Sequence, residues 1–165
     1  MVTTKRAKKK TVKRFKSSVP QTPFNRALKY LSYRTRSFKE VYDYLVKKAY
    51  SEEEIHTTLK QLQDLHFLND NEFAQSYAKS RQAKGKSKRT ILYELKQKGI
   101  DREKTEQILE TLKDDLQNAT EYIEKYAKQL ARFSDEEREK KIINRLRLRG
   151  YNWDVISKII KRVED

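Results

Sequence analysis

The chain has 165 residues, with 39 Lys and Arg against 24 Asp and Glu, a net charge of +15 and no cysteine. These figures exclude disulfide and thiol chemistry, and no apolar run approaches the ~20 residues that cross a membrane as a helix. Hydrophobic residues make up 36% and charged residues 38%, which suits a row of small modules better than one large core.

Residues 1–19 hold Lys5, Arg6, Lys8, Lys9, Lys10, Lys13, Arg14 and Lys16 and no acid. They predict a disordered basic arm drawn to polyanions. Thr22-Pro23 reads as N-cap and first position of helix one. Ser37-x-x-Glu40 and Ser51-x-x-Glu54 are capping boxes that open helices two and three. Asn69-Asp70 opens the fourth helix, Ser87 the fifth and Asp101 the sixth. The stretch from 101 to 132 holds helices six and seven, and Asn118 is the best candidate for the break. Ser134-x-x-Glu137 opens the eighth helix and Asn152 the ninth. The expectation is nine helices in three sets of three: an all-α chain of three tandem repeats over 20–69, 70–117 and 118–165.

Three stretches repeat at intervals of 50 and 51 residues. They are Leu45 to Ser51, Leu95 to Asp101 and Leu146 to Asn152. Each reads leucine, two residues, a base, a small residue, a large apolar residue and an N-cap type. A fixed period of this size marks an array of one structural unit. Lys48, Lys98 and Arg149 fall where a cation meets the negative end of a helix dipole. Gly99 and Gly150 fit a left-handed C′ position, where Ala49 is the costly copy. The pairs Val41/Leu45, Ile91/Leu95 and Ile142/Leu146 are spaced to bury one helix face. Leu59/Leu62, Leu109/Leu112 and Ile160/Val163 repeat in the third helices.

With eight positive charges in the arm, the helical body still carries +7. Its bases cluster as Arg26, Lys29, Arg34, Arg36 and Lys39; as Lys79, Arg81, Lys84, Lys86, Lys88 and Arg89; and as Arg138, Lys140, Lys141, Arg145, Arg147 and Arg149. In stacked repeats they would form an intermittent stripe matched to a phosphate backbone, or simply a well-solvated surface. Tyr30, Tyr33, Tyr42 and Tyr44 lie among such bases. No cofactor or metal is expected, because His56 and His66 make no ligand pair and no Gly-rich phosphate loop is present. No nucleophile elbow is present either. Asp114-Asp115 reads as a solvated face. Function therefore rests on surface recognition rather than catalysis.

Several of these segments resemble the RecX family of recombination regulators. The likeness is carried by Arg34-x-Arg36-Ser37-x-x-Glu40 with Leu45, and by Phe67-Leu68-Asn69-Asp70-x-x-Phe73-Ala74-x-x-Tyr77 running to Arg81. It continues in Ile91-x-x-Glu94-Leu95-x-x-Lys98-Gly99-Ile100 and Leu146-x-x-Arg149-Gly150-Tyr151. It spans about 24–163. Lys86-Ser87 stands where the family often has Gly-Pro, and the basic arm is not part of the family pattern. The resemblance implies an elongated, curved molecule of three three-helix units. It implies a cytoplasmic, monomeric, non-enzymatic protein that binds RecA filaments on single-stranded DNA. Such proteins mostly inhibit ATPase, strand exchange and co-protease activity, and so act in DNA repair, recombination and the SOS response. The three base clusters would be the contact surface. Two alternatives are a stand-alone helical DNA-binding module and a helical adaptor for another acidic protein.

Overall fold

Side-chain caps set the helix starts in the computed structural model, which describes residues 21–164; the arm expected over 1–19 lies outside them. Thr22, Ser37, Ser51, Asn69, Ser87, Asp101 and Ser134 each accept a hydrogen bond from a first-turn N–H, satisfying donors that the helix itself leaves orphaned. Asn152 does the same for Val155 N–H at 3.0 Å. The described residues form α1 (Pro23–Leu31), α2 (Phe38–Val46), α3 (Glu52–Asp64), α4 (Asp70–Ala83), α5 (Lys88–Gln97), α6 (Arg102–Glu110), α7 (Asp115–Glu124), α8 (Ala127–Leu130), α9 (Asp135–Arg147) and α10 (Trp153–Glu164), with no strand among them.

The helix order differs from the expected one in two details. The break between the sixth and seventh helices falls at Thr111–Asp114, where the Asp114 carboxylate caps α7. Asn118 is instead buried inside α7, one turn further on. The other difference is α8, a single turn that adds a tenth helix and carries the buried Leu130.

Each unit has its own core. Val41, Leu45, Leu59 and Leu62 centre the first, Ile91, Leu95, Leu109 and Leu112 the second, and Ile142, Leu146, Ile156 and Ile159 the third. A fully buried Leu or Ile of this kind contributes about 1.5–3 kcal/mol, so the i,i+4 pairs provide the architecture. Val163 is the exception, 40% exposed at the end of its stripe.

The units are joined by one device used twice. The first residue of α4, Asp70, accepts the N–H of Phe38 at the start of α2, at 2.7 Å. The first residue of α7, Asp115, accepts the N–H of Lys88 at the start of α5, at 2.9 Å. Each carboxylate thus serves an orphan donor of the preceding unit. Burial raises the pKa of both against the opposing pull of these bonds. Asp115 is therefore part of a joint, not of the solvated face expected.

The repeated turns complete the joints. The turn at Gly99 sits against Lys39 of α2. The turn at Gly150 sits against Ser87 and Thr90, and three bonds hold it: Ser87 N–H to Arg149 O at 3.1 Å, Ser87 Oγ to Gly150 O at 2.9 Å and Thr90 Oγ1 to Arg149 O at 3.1 Å. Asn118 Nδ2 donates to Lys86 O at 3.0 Å and to Tyr151 Oη at 2.7 Å, which explains its burial. Helix α5 therefore reaches both joints, the third unit at its start and the first at its end.

Candidate anion-binding interface

The predicted bases separate according to what holds them. At the first joint they meet acids. Arg34 makes a two-pronged contact with Glu40 at 2.8 and 3.3 Å, and Lys98 reaches across the joint to the same carboxylate at 2.8 Å. Arg81 grips Glu94, which also accepts from Tyr77 Oη at 3.0 Å. Arg34, Phe73, Tyr77, Arg81 and Lys98 line one open cleft. Arg36 lies 3.6 Å over the Tyr30 ring and donates to Tyr30 O. Tyr30 in turn stacks on Tyr44 at 4.0 Å, and Tyr42 donates to Glu52. These tyrosines are packing residues, while Tyr33 stays exposed.

Glu40 is the node of this joint. Burial alone would raise its pKa, but the bonds from Arg34, Lys98 and the Ser37 N–H bring it from 4.5 down to about 2. A carboxylate with a folded pKa below its unfolded one adds stability above the unfolded value and loses it as pH falls toward the folded one. Glu40→Gln should therefore cost about 1–2 kcal/mol at pH 7. That gap to wild type should close between pH 4.5 and 2, as measured by urea unfolding at a series of pH values.

At the second joint the bases meet carbonyls and rings. Arg149 donates to Lys84 O at 2.8 Å and lies 4.8 Å from the Tyr122 ring centre. Lys86 Nζ approaches Leu148 O at 3.4 Å. Arg145 lies 4.4 Å from the Tyr126 ring centre and bonds Gln129. Among the described residues, none of Lys84, Lys86, Arg89, Arg145, Arg147 and Arg149 forms an ion pair. Lys88 is partly compensated by Asp115. The structure thus gathers Lys84, Lys86 and Arg149 with the ends of α5 and α9, and leaves their charge uncancelled.

The remaining predicted residues lie apart. Arg26 faces the Tyr50 ring at 6.0 Å, with its Nε buried and unbonded. Lys29 is exposed on α1 and Lys79 on α4. Two residues outside the predicted surface belong beside it. Lys98 bridges the first joint, and its place in the repeated motif is the signal for it. Trp153 opens α10 beside the second joint and is 61% exposed; its sequence signal is a lone tryptophan four residues after Arg149.

Comparison with known proteins agrees with this layout. Family models of the first, second and third three-helix domains of RecX match residues 24–62, 69–109 and 113–160. The regulatory protein RecX of Bacillus subtilis (strain 168) is 36% identical over 144 residues, covering 86% of this chain and 54% of the relative. That of Listeria innocua is 37% identical over 134 residues, covering 79% and 50%. The chain spans about half the length of these curated relatives. The crystal structure of RecX from Lactobacillus salivarius superposes with a TM-score of 0.68 at 31% identity, covering 86% of this chain and 94% of that one. A second crystal structure of a regulatory protein RecX, at 24% identity, shares the fold with a TM-score of 0.64 over 83% of this chain and 69% of its own.

Proposed function

The chain belongs to the RecX family, and on that premise we propose that it binds RecA and regulates its filament on single-stranded DNA. In this reading it is a non-enzymatic monomer of the cytoplasm that mostly restrains the filament's ATPase, strand exchange and co-protease activity. It would thereby act in DNA repair, recombination and the SOS response. The observation that supports it best is the set of second-joint bases without acid partners, because positive charge held in place on a rigid frame steers and orients an acidic partner. The candidate surface is Arg26, Lys29, Arg34, Arg36, Lys79, Arg81, Lys84, Lys86, Lys88, Arg89, Arg145, Arg147 and Arg149. Within it, Arg34 and Arg81 are already saturated by carboxylates and serve mainly to hold the frame.

Co-sedimentation with RecA filaments on single-stranded DNA tests this. The chain should pellet saturably with filaments at low salt and be released as salt rises. Remaining in the supernatant at every concentration would rule the reading out.

A further inference from the structure

We propose that the second joint is a binding site for single-stranded nucleic acid, with phosphates on Lys84, Lys86 and Arg147 and an unpaired base stacked on Trp153. The inference narrows the interface of the preceding reading to one place and gives that place its own ligand.

Three observations carry it. The first is the contrast between the two joints. Bases at the first are neutralised by Glu40 and Glu94; at the second, Lys113 pairs with Glu121, but Lys84, Lys86, Arg147 and Arg149 are in no ion pair among the described residues. Arg149 is held by the carbonyl of Lys84 and the ring of Tyr122, and Lys86 by the carbonyl of Leu148. Such contacts position a cation without cancelling it, and they leave donors for an incoming phosphate.

The second observation is exposed apolar surface at the same end of α9. Leu148, the last-turn cap between Arg147 and Arg149, is 70% exposed, and Trp153, first in the next helix, is 61% exposed. Tyr122, Tyr126 and Tyr151 are packed within the third core or against it, so Trp153 is the aromatic face left open in that unit's repeated turn. The third observation is Tyr93, 62% exposed on α5, four residues after the unpaired Arg89 and so on the same face of that helix. Open aromatic faces interleaved with uncompensated basic side chains suit single strands, because every unpaired nucleobase offers a face to stack on. An acidic protein surface would meet the charge of the basic residues but has no unpaired nucleobase to stack on the rings. A duplex would offer phosphates and no free base.

The sole tryptophan of the chain is Trp153, so its fluorescence reports this site alone. The full chain, without RecA, is titrated with oligo(dT) at low salt. Trp153 emission should be quenched saturably. The double variant Lys84→Glu/Arg147→Glu should weaken binding at least tenfold and reduce the log–log salt slope by about 1.4, or 0.7 for each lost phosphate contact. Trp153→Ala, followed by anisotropy of a labelled oligo(dT), should bind about tenfold more weakly, with Trp153→Phe between it and wild type. Circular dichroism of each variant confirms that the fold is kept.

The site is overturned if oligo(dT) leaves the emission unchanged, or if the double variant binds as wild type does. Equal quenching by a duplex of the same length would overturn the single-strand assignment, and equal quenching by poly-glutamate would replace it with an acidic protein partner. RecA is absent from this assay. Its failure leaves the filament reading standing, and a failure to sediment with RecA filaments leaves this site standing.

Discussion

Gly150→Ala should destabilise the protein by about 3 kcal/mol, combining a left-handed alanine at roughly 1–2 kcal/mol with overpacking at roughly 1–3 kcal/mol. Gly150 has φ of +86°, and a Cβ there would lie 1.9 Å from Thr90 Oγ1 and 2.9 Å from Ser87 Oγ. Those hydroxyls cannot simply move aside, since they bond the carbonyls of Gly150 and Arg149. The methyl group would therefore strain the turn and open the joint together. Ala49 is the natural control. It occupies the equivalent turn of the first unit with φ of +61° and is exposed. Ala49→Gly should stabilise by less than about 1 kcal/mol, because relief of the left-handed strain is mostly offset by glycine's greater freedom when unfolded. Urea unfolding separates the two changes. A cost below about 1 kcal/mol for Gly150→Ala would mean that the joint is looser than the bonds across it imply.

Leu95→Ala should cost about 4 kcal/mol, near the upper part of the range for an enclosed leucine. Leu95 is fully buried at the centre of the second core. It also lies on a helix that meets both neighbours. The start of α5 holds the Gly150 turn through Ser87 and Thr90. Its C-terminal end presents Lys98 to Glu40 and Gly99 to Lys39. Loosening α5 should therefore raise amide exchange in all three units. Leu146→Ala, in the terminal unit, should act mainly on α7 to α10. Hydrogen exchange measured unit by unit distinguishes these outcomes. Unchanged protection in α1 to α3 and α7 to α10 of the Leu95 variant would show that the joints do not couple the units.

Much of the fold is legible in the sequence because its signals are local. Ser37-x-x-Glu40, Ser51-x-x-Glu54 and Ser134-x-x-Glu137 each bring their cap partners within a single turn, and the structure forms all three boxes. The apolar pairs at 50-residue spacing are equally local, and they are buried together. What escapes is whatever depends on another unit. Asn118 looks like a helix breaker because asparagine favours caps, yet its amide is used by Lys86 O and Tyr151 Oη of neighbouring segments. Asp115 looks like one acid among many until Lys88 N–H is placed opposite it. Gly99 and Gly150 advertise a left-handed turn, but not that the same bare backbone is where the preceding unit packs. The interface suffers most from this limit. Arg34, Arg81 and Arg147 are alike in sequence, whereas Arg34 and Arg81 are held by carboxylates and Arg147 stands free among the described residues.

ATP hydrolysis by RecA on single-stranded DNA, followed with increasing amounts of the full chain, tests the proposed regulation of the RecA filament. Hydrolysis should fall at or below one chain per RecA subunit. A contact carried by the proposed basic surface would be largely electrostatic, so the effect should weaken as salt rises. Hydrolysis that stays constant up to a several-fold excess of the chain at low salt would mean that the chain does not restrain the filament.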